Sequence, residues 1–172
     1  MLQSELIGEE FLRHVATRPS GFVVCSAGAA FEAWFQVELA HMLLMKGLNS
    51  VRFGYHYPDS RQKADLAVEA EWGLFVIELK CFVRGADANK MKTWPSQLNR
   101  LLNLVESGGA AQGMAVSTYF GYSEQKTGDL IFKFHPSPWR NFGPRRFYEN
   151  APLRLVVGTV TPLDVSPSNE VQ

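Results

Sequence analysis

Two apolar segments separated by only three residues constrain the fold of this chain more than any other feature. Residues 64–70 alternate in the manner of a β-strand, and residues 74–81 form a second strand-like apolar run. The intervening Glu71-Trp72-Gly73 is short enough for a hairpin turn. We therefore expect an antiparallel pair of strands near the centre of the chain.

The second strand carries charged residues in an apolar setting. Strand side chains alternate between two faces, so Val76, Glu78 and Lys80 share one face while the odd-numbered apolar residues share the other. Burial of an acid and an amine costs several kcal/mol unless they are paired or hold a metal. The pattern thus predicts an ion pair or a metal site on this strand.

The first strand contributes one more carboxylate, Asp65. Pairing about Trp72-Gly73 would set Asp65 opposite Lys80 or close to it, within diagonal reach of Glu78. Two carboxylates and a lysine would then converge at one edge of the sheet. Carboxylate oxygens are the ligands that Mg²⁺ or Mn²⁺ prefers.

The remaining pattern predicts a single α/β domain over residues 1–172, with a core at about 31–120 and an extension at 121–162. Predicted helices cover residues 4–17, 31–46 and 95–106, the last with Pro95 in its first turn and ended by Gly108-Gly109. Further strands are predicted at 51–56, 114–120, 130–134 and 153–160, with a strand or a packed connector at 22–25. Residues 85–92 are expected to form a polar loop, and residues 136–148 show no clear period.

Composition excludes some function classes. Lys plus Arg and Asp plus Glu number 17 each, so no global charge attracts nucleic acid or an anionic membrane. Cys25 and Cys81 are interpreted as free buried thiols in a reducing compartment. The N-terminal residues lack the apolar run of a signal peptide, and no segment approaches a membrane span. We expect a soluble cytoplasmic protein.

The acid-x-Lys tripeptide at Glu78-Leu79-Lys80 is short, and Glu124-Gln125-Lys126 repeats it in a polar turn. The apolar strand and the upstream Asp65 distinguish the first from the second. With them, the sequence resembles the PD-(D/E)XK nuclease superfamily. Ala64 stands where that family has proline, while Pro58-Asp59 lies earlier in a turn; Asp65 is preferred because a ligand should lie on the strand.

The resemblance implies a restriction-endonuclease-like core of helix, three strands, helix and strand. Around it we expect a three-layer α/β/α sandwich with a central mixed sheet, an N-terminal helix and C-terminal strands. In the family, the positions of Asp65 and Glu78 bind metal, and that of Lys80 positions water or stabilises charge on phosphate.

Two further family positions have matches here. Many members add a helix glutamate, for which Glu32 is preferred, although Glu38 in the middle of the apolar stripe competes with it. Gln97 matches a glutamine that some relatives carry on the following helix, where it could orient Lys80 or a water. A helix-surface position is the alternative for Glu32 and for Gln97.

The first hypothesis is a Mg²⁺-dependent or Mn²⁺-dependent endonuclease or exonuclease acting on DNA. Lys90, Lys92 and Trp94 either contact the nucleic-acid backbone or belong to a solvated loop. The second is a catalytically inactive nuclease-fold module with a binding or regulatory role. The third is an exposed strand edge whose charges resist aggregation. The sequence leaves open DNA against RNA, and a homodimer or a protein partner.

Overall fold

The computed structural model describes ten stretches of the chain. They are residues 9–11, 13–14, 17, 31–48, 50–58, 60–83, 88–123, 125–126, 143–150 and 153–160. The elements in chain order are α1 (Phe31–Met45), β1 (Val51–His56), β2 (Lys63–Ala70), β3 (Gly73–Val83), α2 (Ala88–Glu106), β4 (Gln112–Phe120), β5 (Gly143–Asn150) and β6 (Leu153–Val160). The strands predicted at 22–25 and 130–134, and Cys25, lie outside the described residues. Residues 9–11, 13 and 14 are helical, within the first predicted helix.

The six strands form one mixed sheet in the order β1-β2-β3-β4-β6-β5. Only β3 and β4 are parallel; the other four neighbouring pairs are antiparallel. Parallel neighbours require a crossover connection, and α2 lies in the chain between β3 and β4. The predicted α/β class and mixed sheet are confirmed, and helix, three strands, helix and strand occur in the expected order.

Apolar residues cover both faces of the sheet. Residues Phe75, Ile77 and Leu79 of β3 belong to the core cluster that contains the buried side of α1. Val76 and Phe82 belong to a second cluster with Trp94 and other residues of α2. The alternation predicted for β3 therefore holds for its apolar residues, and the chain folds as an α/β sandwich around a strand that is buried on both faces.

Gly73 fixes the turn between β2 and β3. Its φ is +117°, and a Cβ at this position would lie 2.7 Å from the Cβ of Ala111. Glycine alone adopts such a backbone at this close approach without strain. The register runs from Ala70↔Gly73 to Leu66↔Ile77. Continued by one pair, it aligns Asp65 with Glu78, two residues from the position opposite Lys80 and within the expected reach of Glu78.

Two other predictions are corrected. Helix α2 begins at Ala88, so residues 88–92 are helical and Pro95 lies inside the helix, where the Met91 carbonyl lacks a backbone donor. The complete burial of Trp94 beside it accounts for a helix that continues through the proline. Residues 143–150, where no period was recognised, form the edge strand β5, and an edge position tolerates Pro144.

No helix among the described residues is long and apolar enough to cross a membrane.

Candidate metal centre

Strands β2 and β3 separate at the position of the predicted site. Their pairing ends at Leu66↔Ile77, while β2 stays paired with β1 to Lys63 and β3 stays paired with β4 to Val83. In the gap, Oδ2 of Asp65 accepts a hydrogen bond of 2.7 Å from the backbone N–H of Leu79. A side-chain carboxylate thus satisfies an N–H group that the ladder no longer pairs.

The second oxygen of Asp65 is held from helix α1. Gln36 donates through Nε2 to Oδ1 of Asp65 at 2.5 Å. Burial raises the pKa of the Asp65 carboxyl, and the Leu79 N–H opposes that shift. Sequence reasoning missed Gln36; the available signal was its spacing of four residues from Glu32, which places both on one face of α1.

Glu78 is fully buried in the centre of the sheet. Its Oε1 accepts a hydrogen bond of 2.6 Å from the hydroxyl of Tyr57, which follows β1. Its Oε2 is also buried and has no hydrogen-bond partner among the described residues. Burial, and then the negative charge of Asp65, raises the pKa of Glu78 to about 8. Tyr57 was also missed, since it lies in a turn-like segment far from Glu78 in sequence.

Asp65 and Glu78 form a coupled pair. Their effects on each other are unequal: in addition to burial, the negative charge of Asp65 raises the pKa of Glu78, whereas Glu78 lowers the pKa of Asp65. Two buried carboxylates cannot both be ionised here without a shared proton or a cation between them. The unpartnered Oε2 of Glu78 beside Asp65 therefore fits an oxygen-liganded divalent ion such as Mg²⁺ or Mn²⁺.

Lys80 lies beside the pair and contacts Glu32 of α1. Its Nζ is 3.3 Å from Oε1 of Glu32, while Oε2 of Glu32 accepts from the Cys81 N–H at 3.3 Å. Lys90 of α2 lies 3.5 Å from the same Oε2 and donates to the Cys81 carbonyl at 3.0 Å. Glu32 is therefore not an isolated surface residue, because its contacts link α1 with β3 and α2 beside the gap between β2 and β3.

The other predicted residues lie in different surroundings. Glu38, the competing helix acid, is buried against His14, with 2.6 Å between Oε2 and Nε2. Gln97 lies on α2 one turn before Arg100, whose guanidinium is 5.7 Å from the centre of the Tyr57 ring. The Oε1 of Gln97 is buried without a partner among the described residues. No contact described here joins Gln97 to Lys80.

Several lesser predictions are decided by burial. Trp94 is fully buried and cannot contact a nucleic acid, whereas Lys92 is exposed. Gln125 and Lys126 of the repeated tripeptide are exposed, as a surface segment requires. The interpretation of Glu78 and Lys80 as an exposed edge is wrong, because β3 is a central strand and their exposures are 0% and 8%. Cys81 is a buried free thiol whose pKa burial raises well above its usual range.

Comparison of the sequence with models of known protein families found no match, and comparisons with curated proteins and with solved structures found none either. The functional assignment therefore depends on the chemistry of these side chains.

Proposed function

We propose that this chain is a Mg²⁺-dependent nuclease with a restriction-endonuclease-like core of the PD-(D/E)XK type, hydrolysing DNA phosphodiester bonds. The observation that carries the proposal is the buried, unpartnered Oε2 of Glu78 next to Asp65, with Lys80 two residues further along β3. Burial of this oxygen is costly unless a cation or a proton compensates its charge. The order of helix, three strands, helix and strand is consistent with the same family.

Asp65 and Glu78 would hold the ion, and the gap between β2 and β3 gives it access to backbone oxygens such as the Leu79 carbonyl. A bound Mg²⁺ supplies a Lewis acid that acidifies a water and offsets charge on the scissile phosphate. Gln36 and Tyr57 fix the orientation of the two carboxylates. A preorganised ligand set of this kind avoids reorganisation during the reaction.

Lys80 would supply the positive charge. Glu32 holds its ammonium group at 3.3 Å, and the charge of Lys80 already lowers the pKa of Asp65. From this position Lys80 can orient a water or contact a phosphate oxygen. Lys90, which also contacts Glu32 and is partly exposed, would be accessible to a nucleic-acid backbone. We assign Glu32 to positioning Lys80, and to the metal as a third acid if its carboxylate turns towards Asp65.

A cavity of about 340 Å³ lies beside Tyr57, and Asp65, Glu78 and Lys80 do not line it. Tyr57, which contacts Glu78, forms part of its wall together with Arg100, Ser60 and Asn103. Arginine and small polar side chains are suited to phosphate and sugar oxygens. This cavity is the proposed entry for one end of the substrate.

The test is cleavage of linear, circular, single-stranded and branched DNA with Mg²⁺ or Mn²⁺ and with chelator. Asp65→Asn and Lys80→Met should abolish metal-dependent cleavage while circular dichroism shows an intact fold. Glu69→Gln on the strand of Asp65 and Lys126→Met in the repeated tripeptide are matched controls, because both residues are exposed, and they should cleave as wild type. Undiminished cleavage by Asp65→Asn or by Lys80→Met would refute the assignment.

One observation favours the alternative of an inactive nuclease-fold module that binds DNA, a second copy or a protein partner. Three of the four carboxylate oxygens of Asp65 and Glu78 already accept hydrogen bonds from Gln36, Leu79 and Tyr57. Such bonds can hold the acids in place without a metal. Titration with Mn²⁺ separates the two functions, since the module predicts no binding that depends on Asp65.

A further inference from the structure

A second group of metal-ligating side chains lies on helix α1, apart from Asp65 and Glu78. One ligand atom each from His14, Glu38 and His41 lies within 4.8 Å of the others. Nε2 of His14 is 2.6 Å from Oε2 of Glu38, and the two imidazole rings are 5.5 Å apart between centres. The three residues bring two imidazoles and one carboxylate to a common point.

The group joins two segments that are distant in sequence. Glu38 and His41 are three residues apart on α1, a spacing that places both side chains on one face of a helix. His14 belongs to the helical residues near the N-terminus, where Phe11 packs edge-on against Phe35 with ring centres 5.0 Å apart. The histidines have no zinc-ligand spacing in the sequence, so sequence reasoning assigned them no metal, although Glu38-Leu39-Ala40-His41 contains two of the three residues.

Glu38 has surroundings that a carboxylate does not favour. Its exposure is 7%, and its neighbours along α1 include the buried Leu39 and Met42. An acid buried in this way requires a compensating charge. The hydrogen bond with His14 is one source of compensation, and a divalent cation bound by all three side chains is another. His41 beside the pair supplies the third ligand that such a cation needs.

We propose that His14, Glu38 and His41 bind a transition-metal ion of the Zn²⁺ type that fastens the N-terminal helical residues to α1. Imidazole nitrogen combined with one carboxylate is a donor set suited to Zn²⁺, whereas the oxygen ligands of Asp65 and Glu78 suit Mg²⁺. Ligand atoms of a tetrahedral site are about 3.3 Å apart, given metal–ligand bonds of about 2.0–2.1 Å. The three ligand atoms lie within 4.8 Å of one another, and His14 Nε2 and Glu38 Oε2 are 2.6 Å apart, so their separations are close to those of such a site. Three protein ligands leave a fourth position for water or another donor.

The experiment uses the full chain, with excess Mg²⁺ present and Zn²⁺ competed against a chromophoric chelator. Wild type should bind Zn²⁺, and His41→Ala and His14→Ala should each weaken the affinity at least about tenfold. His56→Ala is the matched control, because His56 is an exposed histidine of β1 outside the group, and it should bind as wild type. His41→Gln provides a second variant of similar volume if His41→Ala disturbs the fold.

Two further measurements identify the ligands. Co²⁺ in place of Zn²⁺ should give the visible absorption of a low-coordinate site, and His41→Ala should remove it. Zn²⁺ should also raise the melting temperature of wild type but not that of His41→Ala, since a ligand that binds only the folded state stabilises it. Equal Zn²⁺ affinity in His41→Ala and His56→Ala would overturn the proposal. So would loss of all Zn²⁺ binding in Asp65→Asn, which would assign the ion to the other site.

Discussion

The buried carboxyl pair should make the metal-free protein less stable as pH rises. The pH is raised from 5 to 8 in the presence of a chelator, and the free energy of unfolding is compared between wild type and Glu78→Gln. Glu78 has an ordinary pKa of 4.5, which burial and the charge of Asp65 raise to about 8 in the folded state. Over this window the unfolded chain loses its proton first, so the folded state binds more protons than the unfolded state.

The sign and size follow from proton linkage. Stability falls with pH wherever the folded state binds more protons, by at most about 1.4 kcal/mol per pH unit for one group. The contribution of protonated Glu78 to stability is fully present below the pKa that Glu78 has in the unfolded chain. It is lost as the pH rises through the pKa that Glu78 has in the folded state. Across the window the loss amounts to roughly 3–5 kcal/mol. That is a large part of the roughly 5–15 kcal/mol that stabilises a typical domain.

The assay is urea unfolding at pH 5, 6, 7 and 8, followed by circular dichroism. We expect the free energy of unfolding of wild type to decrease over this range and that of Glu78→Gln to change much less. Tyr57→Phe removes the hydrogen bond that lowers the pKa of Glu78, so its decline should extend to higher pH. Tyr55→Phe, on β1, is the matched control.

Addition of Mn²⁺ at pH 8 should restore the stability of wild type, because the ion takes the place of the proton. Restoration should be absent in Glu78→Gln. Parallel pH profiles for wild type and Glu78→Gln would refute the reasoning, since they would mean that the Glu78 carboxyl has the same proton affinity in both states.

Two further predictions concern other contacts of the fold and the site. Gln36→Ala should lower Mn²⁺ affinity and DNA cleavage by about tenfold, because the carboxylate of Asp65 loses the donor that orients it. Gln62→Ala, at an exposed position, should leave both unchanged. Equal values for the two variants would contradict this role of Gln36. Gly73→Ala should lower the free energy of unfolding by about 1–3 kcal/mol in urea titration, because the new Cβ would meet Ala111 and φ is +117°. Gly47→Ala, where φ is also positive but no atom lies close, should lower the free energy of unfolding by less.

Local pattern was sufficient for most of the elements. The bounds of β1 and β6 match those predicted, because each contains several β-branched or aromatic residues and is bounded by turn residues. The start of α2 could not be predicted, since the polar residues before Pro95 contribute little of the buried surface. Trp94 and the later leucines supply that surface, and their burial depends on the sheet beneath them. The strand β5 was hidden for another reason: its sequence, Gly143-Pro-Arg-Arg-Phe-Tyr-Glu-Asn150, has no alternation of apolar residues, although it pairs with the adjacent β6 from Asn150↔Leu153.

The site was predictable in its strand residues and not in the residues that hold them. Asp65, Glu78 and Lys80 stand out because each is a charged group in an apolar strand. Gln36 and Tyr57 stand on a helix and after a strand, where polar residues are common. The packing of α1 on the sheet and the pairing of β1 with β2 bring them to the acids. The hairpin turn consists of Glu71 and Trp72, not of Trp72 and Gly73, and this difference shifts the expected partner of Asp65 by two residues.

The position of an acid in the apolar stripe of a helix did not decide between Glu32 and Glu38 as the helix acid beside Asp65. Both acids lie on α1, and the stripe favoured Glu38 as the buried one, which it is. The residues one helical turn away separate the two acids better. Gln36 lies four residues after Glu32, and both side chains reach the gap between β2 and β3. Glu38 has His41 at three residues, on another side of the helix. Because polar side chains one turn apart share a face, their chemistry indicates which site a helical acid serves: oxygen and amide groups beside Asp65 for Glu32, and nitrogen ligands for Glu38.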